Sequence, residues 1–141
     1  MRRILAFCLA SAVIHYLLAV SSAYAECSPS ILRGKYIFAG RGFIEPLAPN
    51  VQRVHSGIYV FDGVSNVSGK ETSSRGGHVA REQMLKGTYT LSNDCSGIMT
   101  LVSLADPRLQ THYDIFVTED GRKASMIRTD PGSMALRTLE K

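Results

Sequence analysis

Residues 87–101, Gly-Thr-Tyr-Thr-Leu-Ser-Asn-Asp-Cys-Ser-Gly-Ile-Met-Thr-Leu, constrain the fold more than any other stretch. Strand formers on both sides (Thr88, Tyr89, Thr90, Leu91; Ile98, Met99, Thr100, Leu101) flank a run whose side chains bond their own backbone or tolerate positive φ. A β-hairpin with Cys95 in its turn follows. Outside the first 25 residues helical spacing is absent, and the same alternation of strand and turn signals continues along the chain.

With the two strands of that hairpin included, strands are predicted at residues 32–44, 54–61, 64–72, 78–91, 98–104, 109–118, 123–129 and 133–139. Gly40 and Gly42 kink the first. Pro46 and Pro49 mark residues 46–50 as a loop, and Asp62-Gly63 opens a turn. The Ser and Gly content of residues 64–72 predicts an exposed edge or weakly packed strand, and residues 73–77 a flexible connection. Along residues 109–118, Tyr113, Ile115 and Val117 share one face, while His112, Asp114 and Phe116 share the other. Asp106-Pro107, residues 119–122 and Asp130-Pro131-Gly132 supply the last turns.

An all-β meander of about eight strands with short connections closes into a single small antiparallel up-and-down barrel, which removes its open edges. A β-sandwich is the alternative, but its Greek-key topology needs a long crossing connection. Three strands begin with Gly-x-Tyr: Gly34-Lys-Tyr36, Gly57-Ile-Tyr59 and Gly87-Thr-Tyr89. In a barrel the glycine admits a bend, and the tyrosine two positions on points the same way, filling the core or lining a ligand space.

Arg2 and Arg3, an apolar run over residues 4–20 and the small residues of Ala23-Tyr24-Ala25 read as a secretory signal over residues 1–25, leaving one domain at 26–141. The run is too short, and interrupted by Ser11 and His15, for a membrane anchor. Glu26 before Cys27 excludes a lipobox. Without Arg2 and Arg3, 14 basic residues face 12 acidic ones, scattered along the chain, which gives no footprint for nucleic acid. Cys8 leaves with the signal, so Cys27 and Cys95 remain as a pair in an oxidising periplasmic or extracellular setting, and a disulfide between them is expected. Closing a loop of that length is worth about 4 kcal/mol in the chain-entropy account.

The segments Cys27-Ser-Pro-Ser-Ile-Leu-Arg-Gly-Lys-Tyr-Ile-Phe38, Gly57-Ile-Tyr-Val-Phe-Asp-Gly63, Asn66-Val-Ser-Gly69, Gly87 to Gly97 and Thr129-Asp-Pro-Gly132 resemble a group of small exported bacterial proteins of unknown function. That group is similar in architecture to calycin-like or allene-oxide-cyclase-like β-barrels. The resemblance implies a small closed barrel with an apolar interior, and it carries over no catalytic residue.

His112, Asp114 and Arg128 form the best candidate catalytic cluster: an acid/base pair at i, i+2 with a cation on the next strand. A solvent-facing ladder of charges has the same spacing. His55, His78 and His112 lack any HxH or HxxxH spacing, so no metal site and no cofactor is expected. Glu71, His78, Arg81 and Glu82 read as a charged surface hairpin or a gate at a barrel mouth. No nucleophile elbow, phosphate loop or zinc-protease motif occurs. The leading expectation is a non-enzymatic exported barrel that binds a small apolar or amphipathic molecule, with Tyr36, Phe38, Tyr59, Tyr89 and Phe116 in its interior. The alternatives are a cyclase or isomerase acting through His112, Asp114 and Arg128, and a cell-envelope interaction module with a filled core.

Overall fold

The computed structural model describes residues 26–44 and 51–141. The signal segment at 1–25 and the loop at 46–50 lie outside the described residues. Eight strands, β1 (Gly34–Ile44), β2 (Gln52–Phe61), β3 (Asn66–Arg75), β4 (His78–Leu91), β5 (Ser96–Ser103), β6 (Gln110–Val117), β7 (Lys123–Arg128) and β8 (Ser133–Glu140), form one closed antiparallel barrel in sequence order. Pairing of β1 with β8 completes the circle, with Phe38 opposite Leu139 and Gly40 opposite Arg137. The up-and-down barrel is the fold, not the sandwich.

Three local expectations are corrected. The first strand begins at Gly34 rather than Leu32, because residues 29–32 form a 3-10 turn with Pro29 placed where a tight helical turn begins. β3 is no edge: closure gives it two partners, and Gly69 is there because a Cβ would come within 2.6 Å of the Tyr59 ring. The flexible connection at 73–77 is mostly strand, which continues through Arg75 and reverses at Gly76-Gly77, both at positive φ.

Alternation sends one face of every strand inward. Tyr36, Phe38, Tyr59, Phe61 and Tyr89 are completely or almost completely buried, and their rings pack on one another. Phe38 stacks on Tyr59 with centroids 4.2 Å apart, while Tyr36 meets Phe61 edge-on at 5.3 Å and Phe61 meets Tyr89 at 5.1 Å. Gly57 makes the stack possible, since a Cβ there would lie 2.9 Å from Phe38 Cε1 and collide with the Lys70 carbonyl.

One end of the barrel is plugged. Leu32, from the 3-10 turn, is fully buried beneath the aromatic layer's cluster. The Tyr36 hydroxyl donates to the Gly121 carbonyl, and the Tyr89 hydroxyl donates to the Pro29 carbonyl at 3.1 Å. Burial pushes both phenols above their usual range. Cys27 and Cys95 are disulfide-bonded with Cα atoms 5.0 Å apart, and the Cys27 N–H donates to the Asn93 carbonyl at 3.1 Å. The disulfide therefore straps the segment before β1 to the β4–β5 turn. Among the described residues no helix is long and apolar enough to cross a membrane.

Candidate functional site

The opposite end of the interior is polar. The inward face of β2 that carries Tyr59 and Phe61 also carries His55 and Arg53, two and three alternations before Tyr59. Register then gathers the rest: His55 lies opposite Ser73, Glu71 opposite Gln83, and Tyr113 opposite Arg128. Gly40 faces His55 on one side and Arg137 on the other. A Cβ at that position would come within 2.5 Å of His55 Nε2 and 2.8 Å of Arg137 Cγ, so glycine is what lets the two side chains meet.

Arg137 is the centre of this cluster, with only 3% of its side chain exposed. Its guanidinium donates to the Tyr59 hydroxyl and, 3.3 Å away, to His55 Nδ1. Its guanidinium carbon lies 4.9, 5.2 and 5.9 Å from the Tyr113, Phe38 and Tyr59 ring centroids, within cation–π range of each. Arg53 pairs with Glu71 Oε1. Glu71 Oε2 sits 3.5 Å from both His55 Nδ1 and Arg137 Nη2, an ionic approach too long for a strong hydrogen bond. Ser73 donates to Gln83 at 2.9 Å.

Burial dominates the electrostatics here. It lowers the His55 pKa, with the Arg137 and Arg53 charges adding and contacts from Glu71 opposing. It also draws the Arg137 guanidinium below its ordinary value, helped by Arg53. Because arginine only donates, Nδ1 of a neutral His55 accepts from Arg137 and the ring proton resides on Nε2. His55 Nε2, Arg137 Nε and Glu71 Oε2 are buried and have no hydrogen-bond partner among the described residues. A cavity of about 10 Å³ reaches this cluster, walled by Arg53, His55, Tyr113, Arg128 and Arg137 among others.

The residues singled out from sequence divide between locations. Tyr36, Phe38, Tyr59 and Tyr89 are interior, but only Phe38 and Tyr59 touch the polar cluster; Tyr36 and Tyr89 serve the plugged end. Phe116 is not an interior residue: it points outward and is 54% exposed, because Tyr113, Ile115 and Val117 take the inward face of β6. It lines an outer groove of about 810 Å³ with Ile37 and Thr138.

His112, Asp114 and Arg128 do not converge as a triad. Asp114 stands opposite Ile98 and Ile127, on the outward face of β6, whereas Arg128 turns inward beside Tyr113. The residue that links the other two is Asp130, which accepts from His112 Nδ1 through Oδ1 and from Arg128 Nε through Oδ2, both at 2.6 Å. Partial burial opposes ionisation of Asp130, but hydrogen bonds from the His112 ring, Arg128 and the His112 N–H outweigh it and hold the carboxyl down at about 2. His55 is buried while His78 and His112 are exposed, so the three histidines share no site. Of the supposed mouth residues, Glu71 is buried in the interior, and His78, Arg81 and Glu82 lie on the exposed hairpin. Sequence reading missed Arg53, His55, Glu71, Arg137 and Asp130 as a group; the parity of β2, counted back from Tyr59, was the signal for the first two.

The sequence matches no protein-family model and no curated protein. Among solved structures, the chain is similar to a redesigned β-barrel, mFAP1, bound to DFHBI, with a TM-score of 0.56 and 13% identity over 81% of this chain and 98% of that one. At that identity the likeness is one of fold.

Proposed function

We propose that this chain is an exported, non-enzymatic β-barrel of the calycin-like kind, cleaved after residue 25, that binds a small amphipathic molecule at the polar end of its interior. The observation that carries this reading is the set of charged side chains buried against the aromatic layer. A barrel built only to fold is better served by apolar residues there, since each buried charge costs several kcal/mol of desolvation and this cluster leaves polar atoms unpaired. Such strained polar clusters are characteristic of binding sites. The Cys27–Cys95 disulfide supports export, because such bonds persist in oxidising compartments. That a barrel of similar fold is bound to DFHBI supports a small-molecule role for the architecture.

The aromatic half is packed solid and the polar cavity holds about 10 Å³, so an organic ligand enters by displacing Arg137 toward solvent. Its polar group then meets Arg53, Arg128 and Arg137, and its apolar part rests on Phe38 and Tyr59. Native mass spectrometry of the protein purified gently from its own host tests the reading. A defined added mass that vanishes on denaturation, and is lost in Arg137→Ala, is the expected result. Recovery of the bare monomer, with no ligand-dependent shift across an amphipathic compound panel, would sink it. A second reading, an envelope interaction module, is favoured by the exposed apolar side chains on the outer wall, Ile37, Phe116, Ile127 and Leu136. A dimer or heteromeric mass in the same spectrum would select it.

A further inference from the structure

The small cavity at the polar end has a chemistry of its own. Three arginines, Arg53, Arg128 and Arg137, contribute to its walls together with His55 and Tyr113. Neither carboxylate of the cluster does: Glu71 Oε1 is taken by Arg53, and Asp130 Oδ2 by Arg128 Nε. Three cations thus face two anions among the described residues, and the imbalance sits in a low-dielectric interior where an uncompensated charge is costly. Two of the wall residues, Arg137 and His55, each keep a buried nitrogen without a partner, Nε and Nε2, and both nitrogens are donors. A volume of about 10 Å³ is room for about one water-sized sphere, so a single-atom anion matches the space better than a carboxylate or a phosphate.

We infer that this cavity is a monatomic-anion site that takes a halide, chloride or bromide, between Arg53, Arg128, Arg137 and His55. The halide supplies the missing negative charge, accepts from the two unpartnered donors and keeps Arg137 anchored over Phe38, Tyr59 and Tyr113. The halide meets the same arginines as the organic ligand proposed above but does not depend on that reading, since it needs no displacement of Arg137.

Crystals of the disulfide-bonded protein grown in sodium bromide, measured at the bromine edge, decide the matter. An anomalous peak in the cavity within contact distance of Arg137 is expected, whereas no peak there, or peaks only at exposed arginines such as Arg108, overturns the site. Thermal unfolding in sodium bromide against sodium gluconate at equal ionic strength gives the solution counterpart. At bromide tenfold above its Kd, Tm rises by about 5 °C for a domain of this size. Arg128→Gln, which leaves the central Arg137 and Glu71 in place, halves that shift or abolishes it; an undiminished shift assigns the bromide effect elsewhere and overturns the role given to Arg128. An organic adduct without a bromide peak would refute the halide while leaving the organic-ligand reading standing, and a bromide peak without any adduct would do the reverse.

Discussion

At the plugged end, Tyr36 and Tyr89 are buried and each hydroxyl reaches a backbone carbonyl, while a disulfide fastens the strap above them. At the polar end, Arg137, His55 and Glu71 are buried as deeply, yet each keeps one polar atom without a hydrogen bond. Burial is the same at both ends, and satisfaction is not. The first arrangement stabilises the fold at every contact. The second spends stability that an apolar core would have retained.

The largest effect expected from this contrast is at the plugged end. Cys95→Ser opens a 68-residue link and lowers unfolding free energy by about 4 kcal/mol, read as a drop in urea midpoint. A loss below about 1 kcal/mol would mean that the strap contributes little and that the two ends are held alike.

Glu71→Gln comes next. It leaves the buried Arg137 and the partly buried Arg53 without their shared carboxylate, at a cost of about 3 kcal/mol, yet pairing it with Arg137→Met recovers most of the loss because only the partly exposed Arg53 is then unpaired. A double variant as unstable as the single one would make the cluster structural and erase the contrast.

The smallest effect is a pH limb. Asp130 has its carboxyl held down at about 2, so its contribution is present in full above about 4 and disappears as pH falls from 4 toward 2. Asp130→Asn therefore removes about 1 kcal/mol of stability at pH 7 and flattens the acid limb of a stability–pH curve. An unchanged limb would place the His112–Asp130–Arg128 chain outside the energetics of the polar end.

The barrel was legible because its signals are local. Turn residues at 62–63, 92–97, 119–122 and 130–132 divide the chain, and period-two alternation assigns β6 its two faces. Residues 73–77 misled because serine and glycine signal turns in isolation, whereas Ser73 is a buried ladder residue that bonds Gln83. The polar interior was hidden for a related reason. Alternation tells which residues share a face, and the usual rule then sends the apolar face inward; on β2 a single face is aromatic at one end and charged at the other. Phe116 shows the converse failure, an aromatic ring on the face that β6 turns to solvent. Asp130 was read only as a turn residue, since nothing in Asp-Pro-Gly reveals that its carboxylate reaches across to His112 and Arg128.

Seven of the eight strand pairings join neighbours in sequence and can zip up as hairpins, whereas the seam between β1 and β8 joins residues 37–44 to residues 133–140. Bringing such distant segments together carries the greatest chain-closure entropy, so the seam is the slowest contact to assemble. Gly40 lies on that seam, flanked by His55 from β2 and Arg137 from β8. No single hairpin or open ribbon of this chain brings those two side chains together. The polar cluster is thus a property of the finished circle, withheld from every partly folded form until the last two strands meet.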